Sequence, residues 1–291
     1  MHPILDLQRN AVLLTVLALV LLSAAPAQVS AGEKPVADAA LKLYVFDCGR
    51  IHFDDISAFD IGDDETEIRD LFVPCYLIEH PSGRMLFDAG LPVAAAGQGE
   101  VTPEPGMHLH YAVALADQLA ALGLTPADID LVAFSHLHFD HVGSANLFPE
   151  ATLLIQAAEY QAGFIDRDST IFEPDLYLGL AEAPRRILSG DHDVFGDGRV
   201  QLIAAPGHTP GHQVLLLRLP ETGNLVLSGD LYHFRISREQ RRVPAFNTDR
   251  AASLASMQKV EDLLKREGAT LWIEHDQALA DTLELAPAYY R

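Results

Sequence analysis

With 291 residues, 49% of them hydrophobic, the chain can bury a large core and does not have the composition of a disordered segment. Its formal charge of -21 leaves no broad basic surface to neutralise phosphates, which speaks against nucleic acid as a partner and against a nuclease.

Residues 1–27 read as a signal peptide: a short start with His2 and Arg9, an apolar run from Ala11 to Leu22, then small residues. The run is shorter than the roughly 20 residues a membrane span needs. Ala25-Pro26-Ala27 gives the small-x-small pattern for cleavage after Ala27, and Val29-Ser30-Ala31 gives a second. No Cys follows the run to carry a lipid. The expectation is a periplasmic or secreted protein with no stable membrane anchor once the peptide is removed. Residues 28–40 read as a polar, Ala-rich linker and 41–291 as the folded domain.

In that domain, 41–47 (LKLYVFD) and 73–80 (VPCYLIEH) alternate and are rich in β-formers. Pro81-Ser82-Gly83 joins the second to 84–90 (RMLFDAG) as a hairpin, so the sheet starts antiparallel. Apolar residues at helical spacing predict a helix over 111–122, stopped by Gly123. Strands follow at 131–135, 152–156, 200–205, 213–219 and 224–229, and a last helix over about 249–267 leads into TLWIEHD. This alternation is layered α/β with mixed sheets. The only two cysteines, Cys48 and Cys75, allow either a disulfide or two buried thiols. No G-x-G-x-x-G or P-loop string sits between a strand and a helix, so a nucleotide cofactor has no support.

Chemistry concentrates at SHLHFDHVG, residues 135–143, directly after an apolar strand. His136 and His138 are two apart and project to one side of extended backbone, while Asp140 and His141 fall where the strand end turns into a helix. So dense a set of imidazoles and carboxylates is costly to bury without a cation, and its softness suits a first-row ion such as zinc. Three later strings, each after an apolar strand, add His208 (APGHTPGH), Asp230 (LSGDLYHF) and His275 (LWIEHD). Strand ends along one sheet edge are where such residues can gather. His212 is read as orienting His208, and His108, His110 and His192 as solvated loop residues.

These strings and the order of strands, from about Leu41 to Ala278, resemble the metallo-β-lactamase superfamily, and within it the acyl-homoserine lactonases. The resemblance implies an αββα sandwich of two mixed sheets flanked by helices. It implies two Zn²⁺, one held by His136, His138 and His208, the other by Asp140, His141 and His275, with Asp230 bridging them. The implied reaction is hydrolysis of a lactone ring, such as that of an N-acyl-homoserine lactone, by a water activated between the ions. Asp140 counts among the catalytic as well as the metal residues. Other divalent first-row metals suit the same donors, and the oligomeric state is open between a monomer and a homodimer.

One position departs from the family. Acyl-homoserine lactonases often carry a Tyr three residues after the bridging Asp, where this chain has His233, preceded by Tyr232. Either side chain could supply the donor to the substrate. The rival activities in the same fold are an organophosphate or aryl-ester hydrolase, a β-lactamase, and a thioester hydrolase of the glyoxalase II kind. A β-lactamase is disfavoured because zinc β-lactamases usually place Cys at Asp230 or lack the bridging carboxylate. The thioester hydrolase is disfavoured because no glutathione-binding segment follows IEHD. A metal-dependent sensor without turnover is the rival from another class; such proteins typically lose ligands, and here all seven are retained.

Overall fold

Two sheets carry the described residues, 41–168 and 170–291, of the computed structural model. The first contains β1 (Lys42–Phe53), β2 (Asp70–His80), β3 (Gly83–Phe87), β4 (Glu100–Glu104), β5 (Met107–His110), β6 (Leu131–Ala133), β7 (Thr152–Gln156) and β8 (Arg185–Leu188), in the order β4-β5-β1-β2-β3-β6-β7-β8. β9 (His192–Asp193), β10 (Val200–Ala204), β11 (Gln213–Leu219), β12 (Gly223–Leu227) and β13 (Thr270–Trp272) build the second, in the order β13-β12-β11-β10-β9. Both are mixed: β1, β2 and β3 are antiparallel, β3, β6, β7 and β8 parallel, and β13 lies parallel to β12.

Alternation along the strands produces three hydrophobic layers. On β11, Leu215 and Leu217 face the first sheet and pack with Val45, Ile78, Phe87 and Leu154, while Val214 and Leu216 face outward. That outward layer is covered by α5 (Arg250–Glu267) through Met257, Val260, Leu263 and Leu264. On the far side of the first sheet, Phe46, Leu77, Leu86 and Val132 meet Leu115 and Leu119 of α1 (Leu115–Ala121). The result is helix, sheet, sheet, helix, the αββα sandwich that the family resemblance implied.

Most expected elements form, with shifted ends. β1 runs on to Phe53 through an irregularity between Asp47 and Arg50, and the first helix starts at Leu115 because Tyr111 is taken up in a bridge to Ala96. Asp249 caps α5 by accepting the Ala252 N–H. Cys48 and Cys75 form a disulfide, with Cα atoms 5.7 Å apart. Gly90 lies against it: a Cβ there would stand 2.3 Å from the Cβ of Cys48 and 3.0 Å from the sulfur of Cys75, at a φ of +67°. The expected signal peptide and linker fall in residues 1–40, outside the described residues. Among the described residues no helix is long and apolar enough to cross a membrane.

Candidate metal centre

Every residue of the expected cluster follows the end of a strand. His136 and His138 follow β6, His208 follows β10, Asp230 follows β12 and His275 follows β13; Asp140 and His141 ride on α2 (Phe139–Val142) just beyond His138. β10, β12 and β13 run in one direction in their sheet, so their loops leave from a common edge. The segment after β6, in the first sheet, meets this edge, and all seven gather as two groups around one carboxylate.

In the first group, His136 Nε2 lies 2.8 Å from His138 Nδ1, and His208 Nε2 lies 3.1 and 3.0 Å from the same two atoms. The second joins Asp140, His141 and His275, whose donor atoms lie within 4.8 Å of one another. Asp230 stands between the groups. Its Oδ2 is 3.2 Å from His208 Nε2 and 3.6 Å from His136 Nε2. Its Oδ1 is 3.2 Å from His141 Nε2 and 2.9 Å from His275 Nε2.

The outward ring nitrogens explain these orientations. His275 Nδ1 donates to the Phe72 carbonyl (2.7 Å), His141 Nδ1 to Asp88 (2.8 Å), His208 Nδ1 to Asn247 Oδ1 (2.9 Å), and His136 Nδ1 faces the Ser135 hydroxyl (3.0 Å). Each neutral ring has one proton, so the inward Nε2 of each is left with a lone pair. Asp88, fully buried with φ at +57°, also accepts the Ser135 N–H and hydroxyl. His212 does not hold His208 as expected. Its Nδ1 donates to the Ala205 carbonyl and its Nε2 accepts the Asp230 N–H (2.9 Å), so it fixes the backbone of the central carboxylate, and Asn247 orients His208.

Burial drives the pKa of His136 and His138 well below the usual imidazole value, reinforced by neighbouring rings, and takes His212 down to about 3. Burial would raise that of Asp230, but the imidazoles of His233, His275, His141 and His136 outweigh it and hold the carboxyl well below the usual range. Burial would lower the pKa of His141 and His275, but Asp230 and Asp140 outweigh it and raise both, so in this second group positive charge gathers beside the carboxylates. His141 Nε2, His275 Nε2 and Asp230 Oδ1 are buried. Buried imidazole and carboxylate donors converging in two groups on one shared carboxylate are what a pair of cations would satisfy, so the residues fit a dinuclear metal site.

A cavity of about 330 Å³ opens over Asp140, Asp230 and His275. Its walls are mostly apolar, with Ile51, Phe53, Phe59, Leu71, Met107, Phe139 and Phe246, and Asp55 and Glu104 also line it. His233 lines it too: its Nε2 is 2.9 Å from Asp230 Oδ2 and its Nδ1 is buried without a partner. Tyr232 turns the other way, packing against α5 with its hydroxyl donating to Glu261 (3.3 Å). That corrects the expectation that Tyr232 could reach a substrate: consecutive residues in extended backbone point to opposite sides. Of the histidines read as solvated loop residues, His108 and His110 lie on β5 and His192 on β9.

Four supporting residues had no role in the sequence reading. Asp88 ends the apolar strand RMLFDAG, the same strand-end signal that marked the others. Glu274 is buried beside His275, accepts the Gly229 N–H (3.1 Å), and is pushed well above the usual carboxyl pKa by burial and by Asp88. Asn247 carries no such signal. Glu159 is buried on α3 (Ala157–Tyr160), where burial raises its pKa to about 6.

The metallo-β-lactamase superfamily model matches residues 68–272, and the chain belongs to that superfamily. Among its relatives, "N-acyl homoserine lactonase AttM" of Rhizobium johnstonii is 33% identical over 242 residues, 75% of this chain and 87% of that one. "N-acyl homoserine lactonase AiiA" of Bacillus thuringiensis subsp. kurstaki is 28% identical over 258 residues, 85% and 98% of the two chains. A solved N-acyl homoserine lactone hydrolase with the product N-hexanoyl-L-homoserine at its catalytic metal centre superposes with a TM-score of 0.73 and 26% identity, covering 86% of this chain and 99% of that one.

Proposed function

We propose that this protein hydrolyses the lactone ring of N-acyl-homoserine lactones, a quorum-quenching activity, at a dinuclear zinc centre. The observation that carries it is Asp230, whose two oxygens face two separate groups of three ligand-type residues. His136, His138 and His208 would hold one ion, Asp140, His141 and His275 the other, with Asp230 shared. Nitrogen and carboxylate donors in these sets suit zinc. When bound, such a pair polarises a carbonyl and supplies an activated water at neutral pH. Asp88, Asn247 and the Phe72 carbonyl hold the imidazoles with their lone pairs inward. Phe53, Phe59, Met107 and Phe246 give an acyl chain an apolar wall that excludes water. His233 is placed to offer a proton near the ring ester. The lactonase relatives support the substrate class.

The test is metal content and turnover together. Two ions per chain, with hydrolysis of an acyl-homoserine lactone faster than of an aryl ester, a phosphotriester or a cephalosporin, is the expected result. A stoichiometry of one under metal-replete conditions, or preference for another member of that panel, would overturn the reading. We also propose export, supported by the apolar run at 11–22 and by the Cys48–Cys75 disulfide, which suits an oxidising compartment. A mature chain beginning near Gln28 or Gly32 in the periplasmic fraction is expected, and an intact Met1 chain in the cytosol refutes it.

A further inference from the structure

The three histidines of the first group come from different sheets, His136 and His138 from the loop after β6 and His208 from the loop after β10. Something must keep those loops in register, and one buried side chain touches both. Glu159 is 2% exposed. Its Oε1 accepts the N–H of Leu137 (3.0 Å), the residue between His136 and His138. Its Oε2 accepts the N–H of Gly211 (2.8 Å), three residues beyond His208. The approach is as close as backbone allows: a Cβ on Gly211 would lie 2.4 Å from the Glu159 nitrogen and 2.6 Å from its Cβ.

We propose that Glu159 is a positioning residue that clamps the two loops and so sets the affinity of the first ion. A carboxylate has an acceptor on each oxygen and serves two converging N–H groups; an amide has one acceptor and would turn a donor toward the other N–H. The second group is held by other means, His141 by Asp88 and His275 by the Phe72 carbonyl. The effect of Glu159 is therefore selective for one ion of the two. The inference rests on the dinuclear reading above.

Glu159→Gln keeps the shape and removes one contact. Zinc release from the loaded protein to a chromogenic chelator should show one ion leaving about 10- to 100-fold faster than in the parent, with the other changed by less than about threefold. In the metal-free parent, the Leu137 and Gly211 amides should be protected from deuterium exchange, because the clamp precedes the metal. Parental release of both ions overturns the proposal. So does equal acceleration of both with a lowered Tm of the metal-free variant, which would make Glu159 a general stabiliser. Free exchange of the two amides in the metal-free parent overturns it as well, and that measurement decides alone if the variant does not fold. A parent that holds fewer than two ions instead defeats the dinuclear reading, while the amides still judge the clamp.

Discussion

Replacing His233 by Phe separates its proton chemistry from its packing. The ring sits edge-on to Phe59 (5.0 Å between centroids) and Phe246 (5.7 Å) and stacks on His275 (5.6 Å, 16° between planes), contacts that a phenyl ring retains. What Phe removes is a donor 2.9 Å from Asp230 Oδ2 at the floor of the cavity. A hydrogen bond to a charged group contributes about 1.5–3 kcal/mol, so kcat/KM should fall about 10- to 150-fold. Loss in kcat with KM unchanged would place the contact in the transition state. Both ions should remain, because all seven ligands are kept and a phenyl ring preserves the stacking on His275. Tyr232→Phe is the matched control, since its hydroxyl meets Glu261 on the side of α5, and its turnover should stay within about twofold of the parent. Steady-state hydrolysis of an acyl-homoserine lactone with metal analysis of each variant makes the comparison. A fully active His233→Phe enzyme, or a larger loss in Tyr232→Phe, would refute the reasoning.

Asp230→Ala should lower occupancy of both sites and nearly abolish turnover, because its two oxygens face different groups; metal analysis showing two retained ions would sink that assignment. Asn247→Ala frees His208 Nδ1 and should weaken metal binding about 10- to 100-fold in chelator competition, with unchanged affinity counting against an orienting role. The metal-free protein should lose stability as pH falls from 6.5 toward 3. There the unfolded chain protonates His212 while the folded chain, with its pKa at about 3, does not. The slope from this one group is about 1.4 kcal/mol per pH unit, so His212→Gln should show a shallower loss than the parent in denaturant titrations at pH 6.5 and 4.5; equal slopes would contradict it.

The metal residues were legible because all seven stand directly after apolar strands, in strings too rich in imidazole and carboxylate for solvated loops. Asp88 carries the same mark, but a lone carboxylate after a strand has many uses and does not by itself point to a metal site. The short strands β4, β5, β8 and β9 have no clear period; β5 has four residues and β9 two, too few for alternation to register. Proximity in sequence points His212 at His208, whereas the turn aims its ring at the backbone of Asp230, 18 residues on. Asn247 lies 39 residues from the histidine it orients, and no local pattern announces such a contact.

The cavity's floor and walls come from different parts of the chain, and this bears on how its preference can change. Phe53 and Met107 stand on segments that hold no member of the metal cluster, so substitutions there can lengthen or shorten the accommodated acyl chain while the chemistry persists. Phe246 is not free in that way. It precedes Asn247, the partner of His208, so any shift of that segment made to admit a bulkier substrate is felt at the first ion. Variation in this lineage should therefore accumulate at 53 and 107 before it reaches 246.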